Sequence, residues 1–157
     1  MVKRKLVKMA AGSDFMALAL EEAEHAAARG EVPIGAVIAL DGAVLASAGN
    51  RTRELNDPTA HAEILAIRSA CEIIGSERLP GAHLYVTLEP CAMCAAAISF
   101  ARIARLYYGA ADPKGGGVDH GGRFFDQPTC HHRPDVYSGF SETRAAALLK
   151  DFFSERR

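Results

Sequence analysis

The feature that most constrains the fold of this chain is a repeated switch between helical and strand-like hydrophobic periods. From Asp14 to Arg29 the apolar residues Phe15, Leu18, Ala19, Ala23 and Ala26 recur at helical spacing, with Ser13 placed to cap the start and Gly30 to follow the end. Val32 to Leu40 and Ala43 to Ala48 then read as two antiparallel strands, because Asp41-Gly42 between them is a two-residue hairpin signal. Thr59 is positioned to cap a helix that carries Ile64, Leu65, Ile67 and Ile74 and ends at Gly75, with His61 and Glu63 in its first turn. His83 to Leu88 is strand-like, and Pro90 opens a short helix holding Cys91, Cys94, Ala97 and Ile98. Arg105 to Gly109 and Asp135 to Phe140 are further strands, separated by a glycine-rich stretch, Gly115 to Gly122, expected to be a mobile loop. From Ser141 the residues Ala145, Leu148, Leu149 and Phe152 mark a terminal amphipathic helix.

This order predicts an α/β protein: a three-layer α/β/α sandwich around a central mixed sheet of about five strands, with strand-to-helix turns gathered at one edge where ligands bind. A chain of 157 residues has room for one domain, expected over 13–157, behind a flexible basic tail at 1–12 that carries Lys3, Arg4, Lys5 and Lys8. The longest apolar runs, Ile34 to Leu40 and Ala92 to Phe100, are far shorter than the roughly 20 residues of a membrane helix. The charges interleaved near the N-terminus also disrupt any secretory h-region, so a cytoplasmic location without membrane contact is expected. A net charge of −1 excludes a uniformly basic nucleic-acid binder but leaves room for a local basic patch.

Two short motifs carry the chemistry. His61-Ala62-Glu63 and Pro90-Cys91-Ala92-Met93-Cys94 place one imidazole, two thiols and one carboxylate at the starts of two helices. A helix N-terminus favours thiolate, and two thiolates with one imidazole make a good zinc set that leaves a fourth tetrahedral position open. An open zinc activates water, bringing its pKa from ~15.7 to about 7, so hydrolysis is the expected reaction. Glu63, two residues from His61, would not lie in the same direction on a regular helix, which makes it a proton carrier rather than a fourth ligand. Either motif alone means little, since an isolated Cys-x-x-Cys is more often structural or redox-active. A closed structural zinc site would need one of Cys130, His131 or His132 as fourth ligand.

The two motifs together resemble the cytidine deaminase superfamily. Glu31-Val32-Pro33-Ile34-Gly35-Ala36-Val37, Asn50-Arg51, Asp57-Pro58-Thr59-Ala60-His61-Ala62-Glu63-Ile64 and Leu84 to Cys94 are similar, more narrowly, to the bacterial tRNA-specific adenosine deaminase family. Gly109-Ala110-Ala111-Asp112-x-Lys114, His132-Arg133 and Asp151-Phe152-Phe153 extend that likeness over nearly the whole chain. The resemblance implies hydrolytic conversion of the wobble adenosine of an arginine tRNA to inosine, with Zn2+ held by His61, Cys91 and Cys94. Glu63 would be the proton shuttle. Asn50 and Ala62 would meet the flipped base, and Val32, Ile34 and Leu88 would wall it. Asp112, Lys114, Arg133, Phe153 and Arg156 would approach the tRNA anticodon loop. A homodimer is also implied, consistent with the small alanine-rich faces of the two motif helices.

Two other readings compete. A deaminase of a free base or nucleoside, of the guanine or cytosine type, would use the same apparatus. A non-enzymatic zinc module would use the metal only to hold its fold. The basic and aromatic C-terminus, Phe152-Phe153 followed by Arg156-Arg157, favours a single-stranded RNA that presents an unstacked base. Cys71 and His83 are expected to be structural, and His25 and His120 to be surface residues. Of Tyr107 and Tyr108, both able to stack on bases, one is accounted for by alternate burial in a strand.

Overall fold

Asp41 and Gly42 both adopt positive φ, 51° and 75°, which gives the tight hairpin its right-handed strand twist. That hairpin joins β2 (Gly35–Leu40) to β3 (Ala43–Gly49) at the heart of the fold. The computed structural model describes residues 7–8 and 14–156, and the rest of the expected tail, including Ser13, lies outside the described residues. Around the hairpin the chain supplies β1 (Val7–Lys8), α1 (Phe15–Ala28), α2 (Ala62–Ile74), β4 (His83–Leu88), α3 (Ala92–Phe100), β5 (Arg105–Ala110), β6 (Asp135–Tyr137) and α4 (Glu142–Ser154).

The strands form one mixed sheet in the order β1-β3-β2-β4-β5-β6. Its five longer members are the expected ones. The sixth, β1, pairs antiparallel with β3 through Val7 opposite Val44 and Lys8 opposite Ala43, so part of the segment expected to be a tail belongs to the sheet. β2 runs antiparallel to β3 and β4, whereas β4, β5 and β6 are parallel. In consequence the C-terminal ends of β3, β4 and β5 and the N-terminal end of β2 share one edge, where Gly35 faces Gly49 and Leu88 pairs with Ala110.

The two faces of the sheet bury separate cores. On one, Ala62, Ala66 and Ala70 of α2 and Ala95 and Ile98 of α3 pack with Ile38, Leu84 and Leu106. On the other, Met16, Ala19 and Leu20 of α1 and Ala145 of α4 pack with Val37 and Ala110. The resulting layers are α1/α4, sheet, α2/α3, the expected α/β/α sandwich. The small side chains let the helices approach the sheet closely. A Cβ on Gly35 would stand 1.9 Å from the carbonyl oxygen of Ala19 in α1, so only glycine lets β2 and α1 touch here.

Three helix starts differ from expectation. Pro90 does not open α3, which begins at Ala92 with Cys91 in the cap position, so the proline stands one residue before the cap. α1 is capped by Asp14, whose Oδ1 accepts from Ala17 N at 3.1 Å. α2 begins after His61, which occupies the cap position, and Thr59 instead closes a turn by donating N–H and O–H to Asp57 Oδ1 at 2.8 and 2.7 Å. The glycine-rich stretch is also not the free loop its composition suggests, because the amides of Val118, Asp119 and His120 all donate to the buried carboxylate of Glu89.

Replacing Gly35 with alanine should push α1 off the sheet edge and cost about 2–3 kcal/mol. A urea denaturation midpoint unchanged from wild type would show that the contact is compliant.

Candidate active site

The chain leaves β3 at Gly49 and enters a loop that must deliver His61 to the shared edge. Asn50 fixes the start: it is buried, its N–H donates to Ile34 O at 3.1 Å, and its Oδ1 accepts from Ala62 N at 3.0 Å. His61 makes no side-chain cap bond of its own. The distant Asn50 therefore satisfies one of the free N–H groups of α2, which releases the His61 imidazole for other work. Glu31, also buried, holds the loop itself by accepting from Glu54 N at 2.8 Å, Arg53 N at 3.3 Å and Thr52 Oγ1 at 3.4 Å.

The second motif repeats this geometry. Cys91 occupies the cap position of α3 without a side-chain cap bond, and Cys94 lies one turn on, fully buried. Their sulfurs are 3.7 and 3.5 Å from His61 Nδ1. The three donor atoms lie within 4.8 Å of one another. The Cys91 thiol is held down at about 4 by its hydrogen bond with Cys94, reinforced by His61, while burial opposes the shift. The Cys94 thiol is pushed up by its hydrogen bond with Cys91 and by burial, and the hydrogen bond between His61 and Cys91 raises the imidazole.

Glu63 completes the group. Burial drives its carboxyl above the usual range, and a hydrogen bond with the Cys94 thiol and the charge of His61 pull it partly back. The set able to hold a metal comprises His61, Cys91 and Cys94 without Glu63, and His61 itself, with extended backbone at φ −72° and ψ 153°, stands outside the regular helix. Two soft sulfurs and an imidazole whose donor atoms converge within 4.8 Å suit a single zinc ion. His61, Cys91 and Cys94 are the only set of three such groups able to hold a metal among the described residues. The candidate fourth ligands are engaged elsewhere: Cys130 and His132 lie against Ser99, toward the far end of α3, and His132 Nε2 contacts Ile103 O at 2.7 Å. A closed four-ligand site is not formed.

Residues 9–110 match the model of the cytidine and deoxycytidylate deaminase zinc-binding region. A tRNA-specific adenosine deaminase of Agrobacterium fabrum is 70% identical over 149 residues, covering 95% of this chain and 98% of its own. The enzyme of that name from Bacillus subtilis is 42% identical over 143 residues, 91% of this chain and 89% of its own. A solved structure from work on A-to-I editing by tRNA:A34 deaminases at the wobble position of transfer RNA superposes with a TM-score of 0.85 at 72% identity, covering 86% of this chain and 98% of that one. The chain belongs to the cytidine and deoxycytidylate deaminase family, among the tRNA-specific adenosine deaminases. A guanine deaminase of Nitrosomonas europaea, at TM-score 0.81 and 22% identity over 97% of this chain and 90% of its own, shares the fold.

This zinc-dependent hydrolytic deaminase brings some expected site residues together and leaves others apart. His61, Glu63, Cys91 and Cys94 converge, with Asn50 and Ala62 bonded beside them. The Asn50 side-chain oxygen is occupied by Ala62. Val32 and Ile34 form a tight turn, with Ile34 N donating to Val32 O at 2.8 Å. Ile34 packs with the α2/α3 core and Leu88 with the α1/α4 core, so these two flank the edge from opposite faces. Asp112 is half-buried and builds its own turn, accepting from Lys114 N and Gly115 N at 3.2 and 2.9 Å.

Lys114, Arg133 and Phe153 are exposed, and the Arg156 guanidinium lies 3.6 Å over the Phe152 ring. Tyr107 is stacked between Tyr85 and Tyr137 at 4.6 and 4.9 Å, and Tyr108 is buried with its hydroxyl on Asp119. His120, expected at the surface, is half-buried against Glu89 at 2.7 Å. Glu31 and Glu89 were not anticipated as site residues. The available signal was a carboxylate directly before each motif segment, Val32-Pro33 and Pro90-Cys91.

Alanine at Cys91 or Cys94 should remove bound zinc, whereas alanine at Cys71 or Cys130 should leave it in place. Elemental analysis of the purified variants checks this, and loss of zinc from the Cys130 variant would reinstate a four-ligand site.

Proposed function

We propose that the deaminase converts adenosine to inosine at the wobble position of tRNA, with an arginine tRNA as substrate. The observation that carries the chemistry is the burial of Glu63 beside the His61, Cys91 and Cys94 donors. The substrate is supported by the 70% identity, across 95% of the chain, to a protein named for that activity.

His61, Cys91 and Cys94 would hold a zinc ion, which would supply the Lewis acidity that makes water a nucleophile at neutral pH. The chain's own residues do the rest. Glu63 accepts the proton of the attacking water and hands it to the ring nitrogen adjacent to the amine-bearing carbon. A C–O bond forms at that carbon, Glu63 carries the second proton to the amine, and the C–N bond breaks to release ammonia. A carboxyl whose affinity for protons is raised by burial is suited to holding each one between these transfers. The amide N–H groups of Asn50 orient the flipped base, and Val32, Ile34 and Leu88 shield it from water.

Lys114 and Arg133 are exposed cations, and Phe153 is an exposed ring at 49%. Together with Asp112 and Arg156 they are suited to the phosphates and unstacked bases of an anticodon loop. Met93 and Phe100 on α3 are exposed at 36% and 67%, an apolar surface that supports pairing with a second copy of the chain. No helix among the described residues is long and apolar enough to cross a membrane. A tRNA substrate supports a cytoplasmic location.

Purified protein should form inosine at the single wobble adenosine of an arginine tRNA and release no ammonia from free guanine, cytosine or adenosine. Release only from a free base would overturn the choice of substrate. Glu63→Gln should lower turnover by at least about 100-fold while zinc content and melting temperature stay near wild type. Retained turnover would remove Glu63 from the proton path.

A further inference from the structure

Glu89 is charged, buried at 2% exposure, and used by none of the chemistry above. It ends the stretch from β4 to α3, where its own N–H donates to Ala110 O at 2.8 Å. Its two carboxylate oxygens collect donors from a single loop. Oε1 accepts from Asp112 N at 3.1 Å and from His120 Nδ1 at 2.7 Å. Oε2 accepts from Val118 N at 3.2 Å and from Asp119 N and His120 N at 3.1 Å each. These bonds outweigh the cost of burial and hold the Glu89 carboxyl below the usual carboxylate range.

The loop so gripped lies against the start of α3. Gly117 N donates to Pro90 O at 2.8 Å, and a Cβ on Gly117 would stand 2.6 Å from Ala92 N. A Cβ on Gly116 would stand 2.3 Å from Glu89 Oε2. The glycines therefore serve close approach to a carboxylate and a helix start. The same loop carries Asp112 and Lys114 beside the edge that holds the donor trio.

We propose that Glu89 is a positioning residue for RNA: it fixes the loop 112–120 at the rim of the site so that Asp112 and Lys114 meet the tRNA in a set geometry. This rests on the tRNA reading above. An aspartate would be one methylene too short to reach the same amides, and a glutamine would turn an N–H group toward amide donors. Each charge-assisted bond of this kind is worth enough that losing the set opens the loop while leaving both helix starts in place.

The test compares wild type with Glu89→Gln and Gly116→Ala, the second displacing the loop with the carboxylate intact. Wild-type inosine formation in the arginine tRNA comes first, since its absence would defeat the tRNA reading itself. If it is present, both variants should show KM for tRNA raised about tenfold or more, with kcat within about threefold and zinc retained, as expected from losing bonds to a charged group. Amide hydrogen exchange over 112–120 should accelerate about tenfold in the same variants, because local opening is then no longer resisted. A residue that only stabilised the fold would lower the melting temperature and leave KM alone. An unchanged KM, or unchanged exchange in the loop, in either folded variant overturns the proposal. If Glu89→Gln does not fold, Gly116→Ala decides.

Discussion

Two helices begin at one edge of one sheet, and at neither start does the residue in the cap position use its side chain as a cap. A helix start carries unsatisfied N–H groups and a positive dipole end, and it usually consumes a nearby polar side chain. Here Asn50 serves α2 from 12 residues away, and at the start of α3 the Cys91 thiol is held at about 4, chiefly by the Cys94 side chain. The imidazole of His61 and the sulfurs of Cys91 and Cys94 are thereby freed to face one another. Because β2 runs antiparallel to both β3 and β4, the ends of those two strands, and the helix starts that follow them, come to the same edge.

Local chemistry made part of this readable in the sequence. Asp41-Gly42 announced its hairpin because the turn needs only two residues of the right type. The zinc set was readable from residue type and spacing, since an imidazole and two thiols at helix starts have few other uses. Helix boundaries were less readable. Thr59 looked like the cap of α2, but the cap that forms is a side chain from the other end of the loop, and no local pattern reports it.

The two buried carboxylates were invisible to pattern reading. Glu31 and Glu89 each accept backbone amides from a loop more than 20 residues further along. Glycine content in Gly115 to Gly122 reports freedom in an isolated peptide, and it was read as mobility. Folded, the same absence of side chains allows the backbone to press against Glu89 and the start of α3. The arrangement of Ile34 and Leu88 was not readable either, since they belong to cores on opposite faces of the sheet.

The account stands on an open metal centre made by one imidazole and two sulfurs. X-ray absorption at the zinc edge of the purified protein tests this most directly, because it counts sulfur against lighter neighbours without reference to activity. A zinc with two sulfurs and one imidazole from the protein is the predicted result. A third sulfur, or a second imidazole completing four protein ligands, would contradict it and turn the centre into a structural clasp.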